Sequence, residues 1–246
     1  MTVAVVTGAS RGIGRAITQD LASRGHQVVA MARNRTALEA LAREAAGDVV
    51  PIVCDVSDEN AVNEAFAGLG DVDILVNNAG AATSNPVHRT TLTQWDEMLR
   101  VNATGPFLCT RAVLRGMRQR DHGRIVTIAS VAGLSGGRYI AAYAASKHAA
   151  VGLIRVVAAE VRGSGVTANA VCPSYVRTAM TDNTVAAIEE RSGGAAGSGE
   201  AILVAQMGLG RLIEPEEVAA AVAYLVSPAA AAVNGEVIVI DGGGGE

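Results

Sequence analysis

Aromatic side chains are scarce in this chain: 3% of 246 residues, with one Trp and two Phe. Its core must therefore come from Ala, Val, Ile, Leu and Gly, small side chains that suit close packing of helices on a sheet. Cysteine is nearly absent as well. Cys54, Cys109 and Cys172 are too few and too scattered for a disulfide framework or a metal-ligand spacing, and each lies in or beside an apolar segment. They read as buried thiols of a reducing compartment. No apolar run reaches the roughly 18 residues that a spanning helix needs, and the first residues show no basic-then-apolar leader pattern. Nor is there an excess of positive charge: the net charge is −4, with Arg and Lys placed singly, so no basic stripe offers itself to nucleic acid. The composition predicts a soluble, cytoplasmic protein with no nucleic-acid, membrane or metal partner.

What is present is a regular alternation. Short β-branched runs at 3–7, 28–32, 49–53, 74–77, 124–129, 167–171 and 237–240 read as strands. They are nearly continuous apolar runs, as expected of strands covered by helices on both faces. Segments 13–24, 36–45, 59–67, 92–118, 142–162 and 216–226 read as helices. This order predicts an α/β fold with a doubly wound parallel sheet. No repeat or interdomain linker interrupts it, and the length suits one core, so 1–246 reads as one domain. Segment 178–210 breaks the rhythm with the Gly-rich stretch 191–199 between two helical flanks, 185–190 and 201–207, and reads as a lid over a site.

The most informative residues are Tyr143 and Lys147, four apart in Tyr-Ala-Ala-Ser-Lys, with Ser130 thirteen residues upstream. On a helix, positions i and i+4 share a face, so phenol and ammonium can meet in one small site. A nearby cation favours phenolate and makes Tyr a usable acid or base, and a serine hydroxyl beside it can hold a substrate oxygen. The set reads as proton-transfer machinery for an alcohol or a carbonyl.

A second site follows the first strand. Thr7-Gly8-Ala9-Ser10-Arg11-Gly12-Ile13-Gly14 leads directly into a helix, giving a tight turn, close backbone approach and unpaired N–H groups for a pyrophosphate. The second strand ends Ala32-Arg33-Asn34 without the carboxylate that usually holds the ribose hydroxyls of NAD. Arg11 and Arg33 instead suit a ribose 2′-phosphate, so NADP(H) is the expected cofactor. Asp55-Val56 and Asn77-Asn78-Ala79-Gly80 follow the third and fourth strands, at the edge where open α/β sheets bind ligands. Asp55 can accept from the adenine amino group, and Asn77, Ala79 and Gly80 let the adenosine lie against the backbone.

Segments 7–14 and 77–80, Asn102, Ser130, the Tyr143/Lys147 pair and 173–178 together resemble the short-chain dehydrogenase/reductase family, in order and spacing, over essentially the whole chain. The resemblance implies a Rossmann-type seven-stranded sheet, a nicotinamide cofactor and a homotetramer built on the helices at 102–118 and 142–162. It implies that Tyr143 donates the proton in reduction and accepts it in oxidation. Lys147 lowers the Tyr143 pKa and bonds the nicotinamide ribose, Ser130 polarises the substrate oxygen, and Asn102 holds a water of the proton relay. Pro173, Val176 and Thr178 are implied to hold the nicotinamide carboxamide. Ser174 stands where the family usually has Gly, which puts that turn in question.

The substrate is less legible. Residues 132–140, 81–87, Tyr175 and Met180, Ile188 and Met207 of the lid are mostly small or apolar and should line the pocket. Chain-wide, the lid and the segment 210–218 look most like 3-oxoacyl thioester reductases and polyketide ketoreductases. An NADPH-dependent carbonyl reductase acting on a 3-oxoacyl thioester or a related small-molecule ketone is therefore expected. The alternatives are a dehydrogenase running the oxidative way on a secondary alcohol or 3-hydroxy acid, and a non-catalytic nucleotide sensor.

Overall fold

The computed structural model describes residues 2–195 and 197–244. Seven parallel strands, β1 (Val3–Thr7), β2 (Gln27–Ala32), β3 (Val49–Val53), β4 (Ile74–Asn77), β5 (Gly123–Ile128), β6 (Val166–Pro173) and β7 (Val237–Ile240), form one sheet in the order β3-β2-β1-β4-β5-β6-β7. The chain winds outward through β1, β2 and β3, then returns beside β1 with β4. That reversal opens a crevice at the C-terminal edge between β1 and β4, where such sheets bind ligands.

Successive residues on a strand face opposite sides, and both sides are apolar here. Val6, Val76, Val126 and Val171 pack with Ile17, Leu21 and Val222, while Val5, Leu75, Ile125 and Ala170 pack with Leu108, Met117 and Ile154. The first layer brings in α1 (Gly12–Ser23), α2 (Arg35–Glu44) and α9 (Pro215–Val226), the second α3 (Glu59–Ala67), α5 (Gly105–Gln119) and α6 (Ala141–Glu160). The side chains of Asn34 and Asp58 cap α2 and α3, each accepting from backbone N–H groups of the first turn.

Observed strands and helices fall within two residues of the expected ranges, apart from two segments. The expected helix 92–118 is present, but α4 (Leu92–Leu99) and α5 are joined by a π-helical turn, Arg100–Thr104. The lid segment holds α7 (Ala179–Ser192) and α8 (Ser198–Val204), which flank left-handed Gly193 and Gly197; residue 196 of its Gly-rich stretch lies outside the described residues. Met207 and Ile188 turn into the sheet core, and Met180 stays exposed. Among the described residues no helix is long and apolar enough to cross a membrane.

Candidate active site

The glycine turn is shaped by what stands beneath it. Gly8 and Gly12 have φ of +64° and +53°, the left-handed region that L side chains disfavour. A Cβ on Gly8 would lie 2.7 Å from the Ala79 Cα, and one on Gly14 would sit inside contact distance of Asn78 Nδ2 and the Gly8 carbonyl. Asn78 holds this arrangement: its Nδ2 donates to the Thr7 and Gly8 carbonyls at 2.9 and 3.2 Å. Thr7 Oγ1 accepts from the N–H groups of Asn78 and Ala79, each at 3.0 Å. Arg11 begins α1 with no side-chain cap bond, so the first N–H groups of that helix are left for an anion. Across the turn, Thr178 Cγ2 lies 3.0 Å from the position of a Cβ on Gly12. The 7–14 and 173–178 segments thus face each other over a cradle, and a side chain at Gly8, Gly12 or Gly14 would press on Ala79, Thr178 or Asn78 and deform it. Ser10 and Ile13 are half-buried within it, and Arg11 is exposed at its rim. These features fit a dinucleotide.

At the end of this crevice Asp55 Oδ1 accepts from Ser57 N and Oγ at 2.9 and 2.7 Å, and its Oδ2 lies 3.9 Å from Arg33 Nη1. Partial burial opposes ionisation of Asp55. The two Ser57 bonds and the nearby Arg33 and Arg100 outweigh that and hold the carboxyl below its usual range. Arg33 is mostly exposed, and so loose an ion pair contributes little, leaving its fork of donors available to a phosphate. Val56 packs against Gly105 of α5, where a Cβ would come within 2.9 Å of its Cγ2. Asn77 is placed differently from its neighbours. It is buried, its Nδ2 reaches Thr110 and Thr127 hydroxyls at 3.1 and 3.3 Å, and its Oδ1 has no partner among the described residues.

Between β5 and α6 lie the residues expected to transfer a proton. Ser130 ends the β5 segment in extended backbone, and its Oγ accepts from Ala132 N at 3.1 Å. Tyr143 enters on the first turn of α6, one turn before Lys147, with the Ser130 hydroxyl near enough to its phenol to favour ionisation. Lys147, the only lysine of the chain, is buried; its Nζ donates to the Ile128 carbonyl at 3.0 Å and stands 5.9 Å from the Tyr143 ring centroid. Asn102 sits in the π-helical turn, where its Nδ2 donates to the Ala81 carbonyl and Ser146 Oγ and its Oδ1 accepts from Ala81 N, each at 2.9 Å. π-Helical turns concentrate at functional positions because the extra residue re-aims a side chain. A Cβ on Gly80 would lie 3.3 Å from Asn102 Oδ1 and 3.6 Å from Lys147 Nζ, so these two atoms border one gap that a glycine keeps open. Oδ1 still has a lone pair there for a water or the ammonium.

The electrostatics differ from the simple expectation of a phenol drawn toward neutrality by Lys147. Burial raises the Tyr143 pKa, and the Ser130 hydroxyl opposes that rise. Burial also pulls the Lys147 ammonium down, to about 8. Desolvation of each charged form is the largest cause of both shifts. Cys54 and Cys109 are buried thiols pushed up to about 11 and about 12 by the same cause.

Ser174 does not need the glycine of its family pattern. Its N–H donates to the Ile240 carbonyl at 2.9 Å, and it is not among the residues with positive φ. Val176 is buried, and its carbonyl accepts from the Thr178 and Thr181 hydroxyls; Pro173 closes β6 beside Ile240.

Two residues with clear positions were not singled out from sequence. Asn78 props the glycine turn, and strand alternation offered the signal, since it must face the side opposite to Asn77. Ser146 donates to the Tyr143 carbonyl at 2.7 Å while accepting from Asn102, tying the π-helical turn to α6.

A dinucleotide-type sheet with Ser, Tyr and Lys gathered at its C-terminal edge defines an oxidoreductase acting on CH–OH or C=O groups. The chain belongs to the short-chain dehydrogenase family, whose model matches residues 2–189. It is 37% identical over 245 residues to the 3-oxoacyl-[acyl-carrier-protein] reductase of Escherichia coli K12, covering 98% of this chain and 96% of that one. Among solved structures, the actinorhodin polyketide ketoreductase with NADPH, in a variant form, superposes with a TM-score of 0.96 at 35% identity, covering 100% of this chain and 97% of that one. Levodione reductase superposes with a TM-score of 0.92 at 33% identity over 98% of this chain and 96% of that one.

Proposed function

We propose that the protein uses NADPH to reduce a ketone to a secondary alcohol, and that the ketone is a 3-oxoacyl thioester or a related cyclic ketone. The observation that carries this reading is the Ser130–Tyr143–Lys147–Asn102 group assembled beside the Gly8–Gly12–Gly14 cradle. The similarity to a 3-oxoacyl-[acyl-carrier-protein] reductase, a polyketide ketoreductase and levodione reductase supports the substrate class. NADPH supplies the hydride when bound. Tyr143 Oη gives its proton to the substrate oxygen, which Ser130 Oγ holds in place. Lys147, fixed by the Ile128 carbonyl, takes the ribose hydroxyls and passes a proton to Tyr143, with Asn102 Oδ1 holding the relay water over Gly80. Gly8, Ser10, Arg11, Gly12, Ile13 and Gly14 hold the phosphates, Arg33 the 2′-phosphate, and Asp55, Val56, Asn77, Ala79 and Gly80 flank the adenosine. Pro173, Val176 and Thr178 hold the carboxamide. In this reading 1–246 is one domain and 178–210 covers the cleft.

The test is NADPH oxidation across an acetoacetyl thioester, a cyclic ketone, a quinone and a sugar. Turnover of the first two is expected, with NADPH exceeding NADH at least about tenfold in kcat/KM and Arg33→Asp narrowing the gap. Equal use of both cofactors by the wild type overturns the 2′-phosphate assignment, and preference for the sugar overturns the substrate class.

The same reading makes the protein a homotetramer. Phe107 on α5 and Val156 on α6 are 45% and 57% exposed, apolar surface on the two helices expected to pair. Light scattering is expected to give the mass of four 25.0 kDa chains; a monomer contradicts it.

A further inference from the structure

The β5–α6 loop, which runs from Ser130 to Tyr143, carries a pair of residues that the proton-transfer chemistry does not use. Tyr139 has φ +69°, and it shares a positive φ with only one other non-glycine among the described residues, Asp121. This conformation is costly for a residue with a Cβ, and Gly136 and Gly137 stand just before it in sequence. A glycine at 139 would adopt the same turn freely, so the turn alone does not account for a tyrosine.

The backbone there is fixed from the opposite wall of the cleft. Asn85 N donates to the Tyr139 carbonyl at 2.7 Å, and Asn85 forms a parallel bridge with Ile140. Asn85 belongs to the segment that leaves Gly80 beside Lys147, so this contact joins the two loops into one rim. On that rim Tyr139 is 43% exposed, Arg138 Nη2 donates to its hydroxyl at 3.1 Å, and the guanidinium carbon lies 5.3 Å from the ring centroid. The aromatic face and the hydroxyl both orient the guanidinium. These contacts leave most of its N–H donors unused, and no ion pair involves it among the described residues. An oriented, exposed cation on a strained rim is arranged for an anion that arrives with the substrate.

We infer that Arg138, oriented by Tyr139, is a specificity determinant that binds the phosphate of the arm carrying the acyl group, so that phosphopantetheine thioesters are preferred over thioesters without a phosphate. This rests on the thioester reading above. Its test compares acetoacetyl-pantetheine with acetoacetyl-pantetheine 4′-phosphate in steady-state kinetics. The wild type is expected to favour the phosphorylated thioester about tenfold in kcat/KM. Arg138→Gln narrows that preference to within about twofold, acting through KM rather than kcat. Tyr139→Gly narrows it as well while its Tm does not fall, because glycine relieves the left-handed turn; a purely structural tyrosine would leave the preference in place. A wild type that reduces both thioesters equally, or an Arg138→Gln variant that keeps the full preference, overturns this inference alone. Reduction of neither thioester overturns the thioester reading and this inference with it.

Discussion

Replacing Tyr143 by Phe is expected to lower kcat by about 10²–10⁴ while NADPH affinity stays within a few-fold. The substitution keeps the ring and removes only Oη, the atom that the Ser130 hydroxyl influences. Lys147 keeps its place, because Nζ is anchored by the Ile128 carbonyl at 3.0 Å and not by the phenol. Ser146 continues to tie Asn102 to the Tyr143 backbone, since that bond uses the carbonyl of residue 143. The proposed proton donor disappears and its surroundings stay. The raised pKa gives the sign of the pH dependence: a phenol above its ordinary value is protonated at neutral pH, the state that reduction requires. The reductive rate should therefore fall, and the oxidative rate rise, as pH increases through that pKa. Initial rates of NADPH oxidation measure kcat, and quenching or enhancement of cofactor fluorescence measures affinity. Near-wild-type turnover by the Phe variant would falsify the assignment of Tyr143 as the acid.

Gly14→Ala should weaken NADPH binding about ten- to a hundredfold, as expected when an added methyl overpacks a fixed site. Its Cβ would collide with Asn78 Nδ2 and with the Gly8 carbonyl. The carbonyl is backbone, and Asn78 cannot withdraw without losing its bonds to Thr7 and Gly8, so the turn itself must shift. A control separates this from a general dislike of alanine. Gly68, with φ −83° at the end of α3 and open space around its Cβ position, should accept Ala with no loss of cofactor binding. Isothermal titration of both variants with NADPH decides the matter; equal affinities would remove the cradle from the binding site.

The elements that sequence made legible are those set by local chemistry. Strands buried on both faces announce themselves as apolar runs, and the glycines of 8–14 and the Tyr143–Lys147 spacing are short-range patterns with one physical use each. What stayed hidden depends on contacts between distant segments. The π-helical turn at Asn102 carries no break in apolar period, because its cause is the clamp on Ala81 and Ser146 from other elements. Asn78 and Ser146 sat inside recognised motifs as if they were spacers, yet each carries bonds across about forty residues or more. The direction of the Tyr143 shift was misjudged because desolvation is a property of the folded cleft, whereas the helical spacing shows only the cation. Ser174 raises a concern over backbone strain that its φ, outside the positive region, removes, and in this cleft the positive φ falls on Tyr139 instead.

The solitary lysine has a consequence for handling the protein. All its other side-chain cations are guanidinium groups or imidazoles, which neither acylate nor form imines under mild conditions. With its ammonium held down to about 8, Lys147 is partly free amine in mildly alkaline solution. Among the side chains, activated esters and aldehydes therefore meet one amine, on the floor of the cleft. The molecule carries a single-site chemical reporter, and the rate at which that one amine is consumed measures how often the cleft is open to solvent.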